Sequence, residues 1–145
     1  MLHKFRFLII FIALILFSAG MLFAQAPGPA AELRFGTWVP GRLQEGEEQW
    51  FSVLSPDTGF VVVETDGDTD TYLEAYDSSG KFLAEDDDGK NNGDENYNAL
   101  LEIMTEAGKT YLFKLRCSDD AESGPYRIRA SFEAIPADTK GNTRN

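Results

Sequence analysis

The chain is poor in the residues on which most enzyme chemistry depends. Its 145 residues include one histidine, His3, and one cysteine, Cys117. An imidazole confined to the extreme N-terminus excludes Ser-His-Asp and Cys-His arrangements and every histidine-containing zinc site from the rest of the chain. A single cysteine excludes an internal disulfide, so the fold must rest on its own core. Cys117 then reads as a small residue at the end of a strand, with an intermolecular disulfide or a reactive thiol as the alternative. Bases are also scarce: 13 Lys and Arg stand against 24 Asp and Glu, a net charge of −11. So acidic a chain cannot hold a nucleic-acid backbone and is repelled by anionic lipid. Its acidity points to solubility, or to a cation as partner.

One long apolar run is present, from Phe7 to Ala24, broken only by Ser18 and preceded by Lys4 and Arg6. A basic start, an apolar core and small residues near Ala24 form the layout of a secretory signal peptide cleaved after Ala24. The alternative is a retained anchor, since about 18 apolar residues is the lower limit for spanning a bilayer. Met21 stands where a lipid-bearing cysteine would be needed. The reading is therefore residues 1–24 as signal, 25–31 as linker, 32–135 as the folded domain and 136–145 as a polar tail. Cleavage removes two bases and no acid, leaving 11 bases and 24 acids, a charge of −13. The mature protein is expected in the periplasm or outside the cell, free of the membrane.

Between linker and tail, short apolar or aromatic runs recur between Gly, Pro, Asp and Asn, the punctuation of an all-β protein. Eight strands are expected: Glu32–Trp38, Glu48–Leu54, Phe60–Thr65, Thr71–Tyr76, Lys81–Glu85, Ala99–Thr105, Thr110–Arg116 and Tyr126–Phe132. Pro40-Gly41 reads as a turn and Glu106–Lys109 as a hairpin connection. Thr110–Arg116 and Tyr126–Phe132 alternate cleanly. The Ala99–Thr105 segment also favours helix, but it is short and flanked by strands. Eight short strands without a long helix imply an antiparallel β-sandwich of jelly-roll type. Trp38, Trp50, Phe51, Phe60, Tyr72, Phe113 and Phe132 are expected to supply most of its core. A sugar-stacking platform is the other reading of the tryptophans.

The most informative stretch is Glu64–Glu95, with twelve of the 24 acids and only Lys81 and Lys90 as bases. The acids gather at Asp66-Gly67-Asp68-Thr69-Asp70 and at Glu85–Glu95. Two anions at ~4 Å repel by roughly 1 kcal/mol in water, and a hard divalent cation reverses that sign. Calcium takes six to eight oxygens, and a site without imidazole or thiolate selects calcium or magnesium over zinc or copper. The candidate ligands are Asp66, Asp68, Asp70, Asp86, Asp87, Asp88, Asn91 and Asp94, with calcium as the metal. If Thr71–Tyr76 and Lys81–Glu85 form a hairpin, Asp70 and Asp86 share its open end. The bland alternative is a solvated turn surface. An EF-hand is excluded, because Thr71 and Asp77 stand where that loop needs Gly and Glu.

Taken in series, five segments resemble the bacterial pre-peptidase C-terminal domain. They are Gln49–Val53, Asp68–Asp77, Gly80–Asp88, Ala107–Leu115 and Gly124–Ile128, spread over most of the chain after residue 24. The resemblance implies a jelly-roll-like sandwich, calcium in the acidic loops, and a binding or targeting role without catalysis. Asp68, Asp70, Asp86, Asp87 and Asp88 match the family's acidic pattern. That family's domains commonly trail a catalytic domain, whereas here the module follows a signal directly.

The leading functional expectation is thus an exported calcium-binding module for a polysaccharide or protein ligand. A structural subunit of the envelope without metal is the alternative. A glycosidase, which needs two flanking carboxyls, is the least favoured, since these acids sit on solvated loops.

Overall fold

A computed structural model of the chain describes residues 30–89 and 97–135. The expected signal segment, residues 1–24, and the expected tail, 136–145, lie outside the described residues. Among these residues there are nine strands: β1 (Ala31–Glu32), β2 (Val39–Leu43), β3 (Gln49–Leu54), β4 (Gly59–Asp66), β5 (Thr71–Asp77), β6 (Phe82–Asp86), β7 (Leu100–Thr105), β8 (Thr110–Cys117) and β9 (Gly124–Ala134). They form a five-stranded sheet, β1-β3-β8-β5-β6, packed on a four-stranded sheet, β2-β9-β4-β7. All pairings are antiparallel except the short β1–β3 pair. Among the described residues there is no helix, and the chain folds as the all-β sandwich its punctuation implies.

Alternation builds the core. Phe51 and Val53 of β3, Val61 and Val63 of β4, Leu73 of β5, and Phe113 and Leu115 of β8 all turn inward and are buried. Period-two side-chain placement sends their neighbours to the outer faces. For this reason Trp50, Phe60 and Tyr72, expected in the core, lie on outer surfaces, each one residue from a buried position. Trp38 is also only half-buried, beneath the guanidinium groups of Arg127 and Arg129 at 4.8 and 4.5 Å from its ring centre. Phe51 and Phe113 are in the core as expected, and Phe132 packs against it partly buried. The interior is mainly aliphatic, which suits the roughly 10 Å gap between packed sheets.

Two local readings are corrected. Pro40-Gly41 is not a turn but lies within β2, and residues 33–38 make only an isolated bridge, Phe35 to Ala130. A proline fits there because β2 is an edge strand, where a missing N–H costs no ladder bond. Gly41 fits because the Tyr126 ring lies over it; a Cβ would fall 2.3 Å from that ring. The Glu106–Lys109 turn reverses the chain but joins β7 and β8 of opposite sheets, so it is not a hairpin. Of all sequence-adjacent strands only β5 and β6 are hydrogen-bonded to each other. Turn chemistry sets a reversal, but burial decides which edge the next strand joins.

Buried hydroxyl pairs join the sheets at each end. Ser55, just after β3, meets Thr105 of β7 at 2.7 Å. At the opposite end Thr65 of β4 meets Thr71 of β5 at 2.6 Å. Thr71 Oγ1 also accepts from the Ala99 amide at 3.2 Å, and the Thr65 amide donates to the Ala99 carbonyl at 2.9 Å. This second knot closes the base of the loop that carries Asp66, Asp68 and Asp70.

Candidate functional site at the acidic end

The expected β5–β6 hairpin is present, with Leu73 opposite Asp86 and Glu74 opposite Glu85. Its turn is held by Asp77, whose Oδ1 accepts from the Ser79 and Lys81 amides at 2.8 and 3.0 Å. Asp70, just before β5, and Asp86–Asp88, at the end of β6, are therefore at one end of the sandwich.

The candidate ligands divide by what their carboxylates already do. Asp66 sits at the end of β4 opposite Arg127 and is ion-paired to it on the outer face of the four-stranded sheet. Asp86 Oδ2 accepts from the Gly89 amide at 3.0 Å and the Leu100 amide at 2.8 Å, so it ties the second acidic loop to β7. Asp68 and Asp88 are exposed and Asp87 is half-buried. Between Asp66 and Asp68, Gly67 turns the chain at φ 137°, and its carbonyl accepts from Asn98 Nδ2 at 3.1 Å. Asn91 and Asp94 lie outside the described residues.

Asp70 is the singular member of the set. Its Oδ1 is buried and has no hydrogen-bond partner, while its backbone carbonyl accepts from the Ser118 amide at 3.1 Å. Burial pushes its carboxyl above the usual aspartate range, and the charges of Glu122, Asp88 and Asp87 push further; a Ser118 hydrogen bond opposes them. The second acidic loop thus acts on a carboxylate of the first. So does Glu122 of the β8–β9 connection, a residue outside the acidic stretch that sequence reading missed. Only the order of strands brings that connection to this end, because β8 lies beside β5.

A carboxyl whose folded value is raised favours folding while protonated. The native state then binds more protons than the unfolded chain, so its contribution is lost as pH climbs through the raised value. Without divalent cations, Asp70→Asn should therefore stabilise the fold at pH 7 by about 0.5–1 kcal/mol, the scale of one relieved like-charge contact near water. The gain should vanish below the ordinary aspartate range. Urea unfolding in chelator at several pH values measures it.

Hard carboxylate oxygens, one of them buried and unbonded amid like charges, fit a calcium ion chemically. Among the described residues, however, no three or more His, Cys, Asp or Glu side chains stand close enough together to hold a metal. The Cys117 thiol, close by, is buried and pushed upward, first by burial and then by the charges of Glu122, Asp70 and Asp120, so it stays protonated and unreactive.

No family model matches the chain, and no curated protein matches it. Solved structures share its fold. One is the pre-peptidase C-terminal domain of a collagenase from Bacillus anthracis, with 12% identity and a TM-score of 0.55 over 72% of this chain and 97% of that one. A second is PliG of Aeromonas hydrophila, a periplasmic lysozyme inhibitor of g-type lysozyme: 11% identity, TM-score 0.52, 72% of this chain and 96% of that one. A third is CorA, a surface-associated copper-binding protein of Methylomicrobium album BG8: 7% identity, TM-score 0.51, 72% and 98%. The sandwich is one that a pre-peptidase C-terminal domain shares, as the five segments implied; at such identities the likeness is one of fold.

Proposed function

We propose that this protein is an exported, non-catalytic binding module whose acidic end takes up calcium. The observation that carries the reading is Asp70, with a buried, unbonded Oδ1 in the field of Asp87, Asp88 and Glu122. An uncompensated carboxylate of this kind costs stability unless something positive satisfies it. Asp70, Asp87 and Asp88, with Asp68 from the loop of Asp70 and Glu122 from a third loop, are the residues that the ion would have to draw together, since among the described residues they do not stand close enough to form a site unaided. Asp66 and Asp86 are assigned supporting roles, since Arg127 and two backbone amides already engage them. Export is supported by the basic-then-apolar N-terminal sequence and by a fold shared with a periplasmic and a surface-associated protein.

The absence of catalysis is supported by the residue inventory: beyond His3 there is no imidazole, and the buried Cys117 thiol stays protonated. Calcium would order the acidic loops and add stability by mass action. At ten times its dissociation constant it should contribute about 1.4 kcal/mol, which for a domain of this size raises the melting temperature by roughly 6–10 °C. Thermal melting over millimolar calcium, against chelator, reads this directly, and Asp70→Asn should abolish the shift. Magnesium should give a smaller one. An identical melting temperature in calcium and chelator would end the cation reading.

A further inference from the structure

The two outer faces of the sandwich treat their aromatic residues differently. On the four-stranded sheet Trp38 is roofed by Arg127 and Arg129, and each arginine is paired with its cross-strand acid, Asp66 or Glu64. The ring on that face is covered and its two arginines are engaged, with Glu102 of β7 and Glu133 of β9 exposed. On the five-stranded sheet, Trp50 of β3 reaches Tyr76 of β5 at 5.4 Å between ring centres, and Tyr76 reaches Phe82 of β6 at 5.8 Å. This row crosses the sheet to an edge where Phe82 is 47% exposed. Among the described residues no guanidinium covers it: Arg116 lies over Tyr72, at 3.9 Å.

The charges around the row are unbalanced. Lys114 and Arg116 are the cations on this face, against Glu32, Glu48, Glu74 and Glu85. Lys114 is held by Glu48 at 3.2 Å and by Glu74 at 2.9 Å, and Arg116 approaches Glu74 at 3.8 Å. Both cations are thus engaged, and among the described residues no ion pair reaches the exposed Glu32 and Glu85. Glu85, together with burial, pushes the Tyr72 phenol up to about 12.

We propose that this face is the docking surface for a basic protein, one presenting Arg or Lys beside apolar side chains. The reading rests on the binding-module role above but does not need the cation. Trp, Tyr and Arg are the residues in which binding energy concentrates at protein interfaces. Open ring faces attract guanidinium and ammonium groups, and the excess carboxylates together with a chain charge of −11 steer a cationic partner toward it. The rings are tilted by 45° and 77° to one another. They do not form the flat shelf that a sugar ring stacks on, which favours protein over glycan.

The test is calorimetric titration of the full chain, at low salt and in chelator, with an alternating arginine–leucine decapeptide. A glutamate–leucine decapeptide and cellohexaose serve as comparisons. The basic peptide alone should bind. Trp50→Ala with Phe82→Ala, which leaves the charge unchanged, should weaken it at least roughly tenfold. Phe82→Ser alone, at the exposed edge, should weaken it about threefold or more and guards against a folding defect in the double variant. Glu32→Gln with Glu85→Gln should weaken it about fivefold, and Glu102→Gln with Glu133→Gln, on the opposite face, less than about twofold. Equal effects of the two glutamate pairs, or an affinity indifferent to the rings, would reduce the binding to diffuse charge and overturn the proposal. Cellohexaose binding lost with the rings would overturn it in favour of a glycan. Because the titration is run in chelator, a missing calcium shift in melting leaves it standing, and its own failure leaves the calcium reading standing.

Discussion

Replacing Phe113 by alanine is expected to cost about 3–5 kcal/mol, the usual range for a large aromatic cut from a packed core. Phe113 is fully buried and sits on β8, between β3 and β5. It faces Phe51 across one ladder and Ala75 across the other. The cavity left between two strands cannot easily collapse, because both neighbours are pinned by their own hydrogen bonds. A domain of this kind has only about 5–15 kcal/mol in hand, so the variant should lie near the edge of folding. Urea unfolding measures the loss, and melting should fall by at least roughly 12 °C. Met104→Ala is the comparison: at 62% exposed, it should change stability by less than about 0.5 kcal/mol. Equal losses for the two would mean that the interior is not packed around β8.

The second large effect is expected from Thr71→Val. The exchange keeps the shape and removes one oxygen. That oxygen joins Thr65 and accepts from the Ala99 amide, and Thr71 has no exposed surface. Valine would leave a buried N–H without its acceptor and deprive Thr65 of a partner. The cost should be about 2–3 kcal/mol, since an orphaned buried donor pays its full desolvation penalty. Thr71→Ser, which keeps the hydroxyl and loses only a methyl, should cost about 1 kcal/mol. Unfolding curves give both numbers, and faster exchange of the Ala99 amide in the valine variant would locate the damage. The knot also sets the distance between the acidic loops. Thr65 and Thr71 flank the loop of Asp66, Asp68 and Asp70, and Ala99 precedes Leu100, whose amide reaches Asp86. Thr71→Val should therefore also blunt any calcium-induced rise in melting temperature.

The acidic end was partly legible because a hairpin is a local object. The turn Asp77–Gly80 and the alternation on either side suffice to place Asp70 beside Asp86–Asp88. The division of labour among the acids was not legible. Asp66 reads like Asp68 and Asp70 in sequence, yet its cross-strand partner is Arg127, sixty-one positions away. Glu122 stands outside the acidic stretch and has no local feature to mark it. Asp86 looks like a ligand and serves as an anchor, because its partners are backbone amides that no side-chain pattern reveals.

By itself the sequence determined the class of fold, most of the strands, and the inventory of chemistry open to the chain: oxygen donors, one thiol, and no imidazole beyond His3. These follow from composition and from a two-residue period, both of which a chain carries locally. The tertiary structure decided which strands are neighbours. With it came the face each aromatic occupies, the strand through Pro40 and Gly41, and the meeting of three loops around Asp70. Those outcomes depend on burial shared between distant segments. An alternating strand presents the same apolar side to either sheet, and only the packing of all nine fixes where it goes.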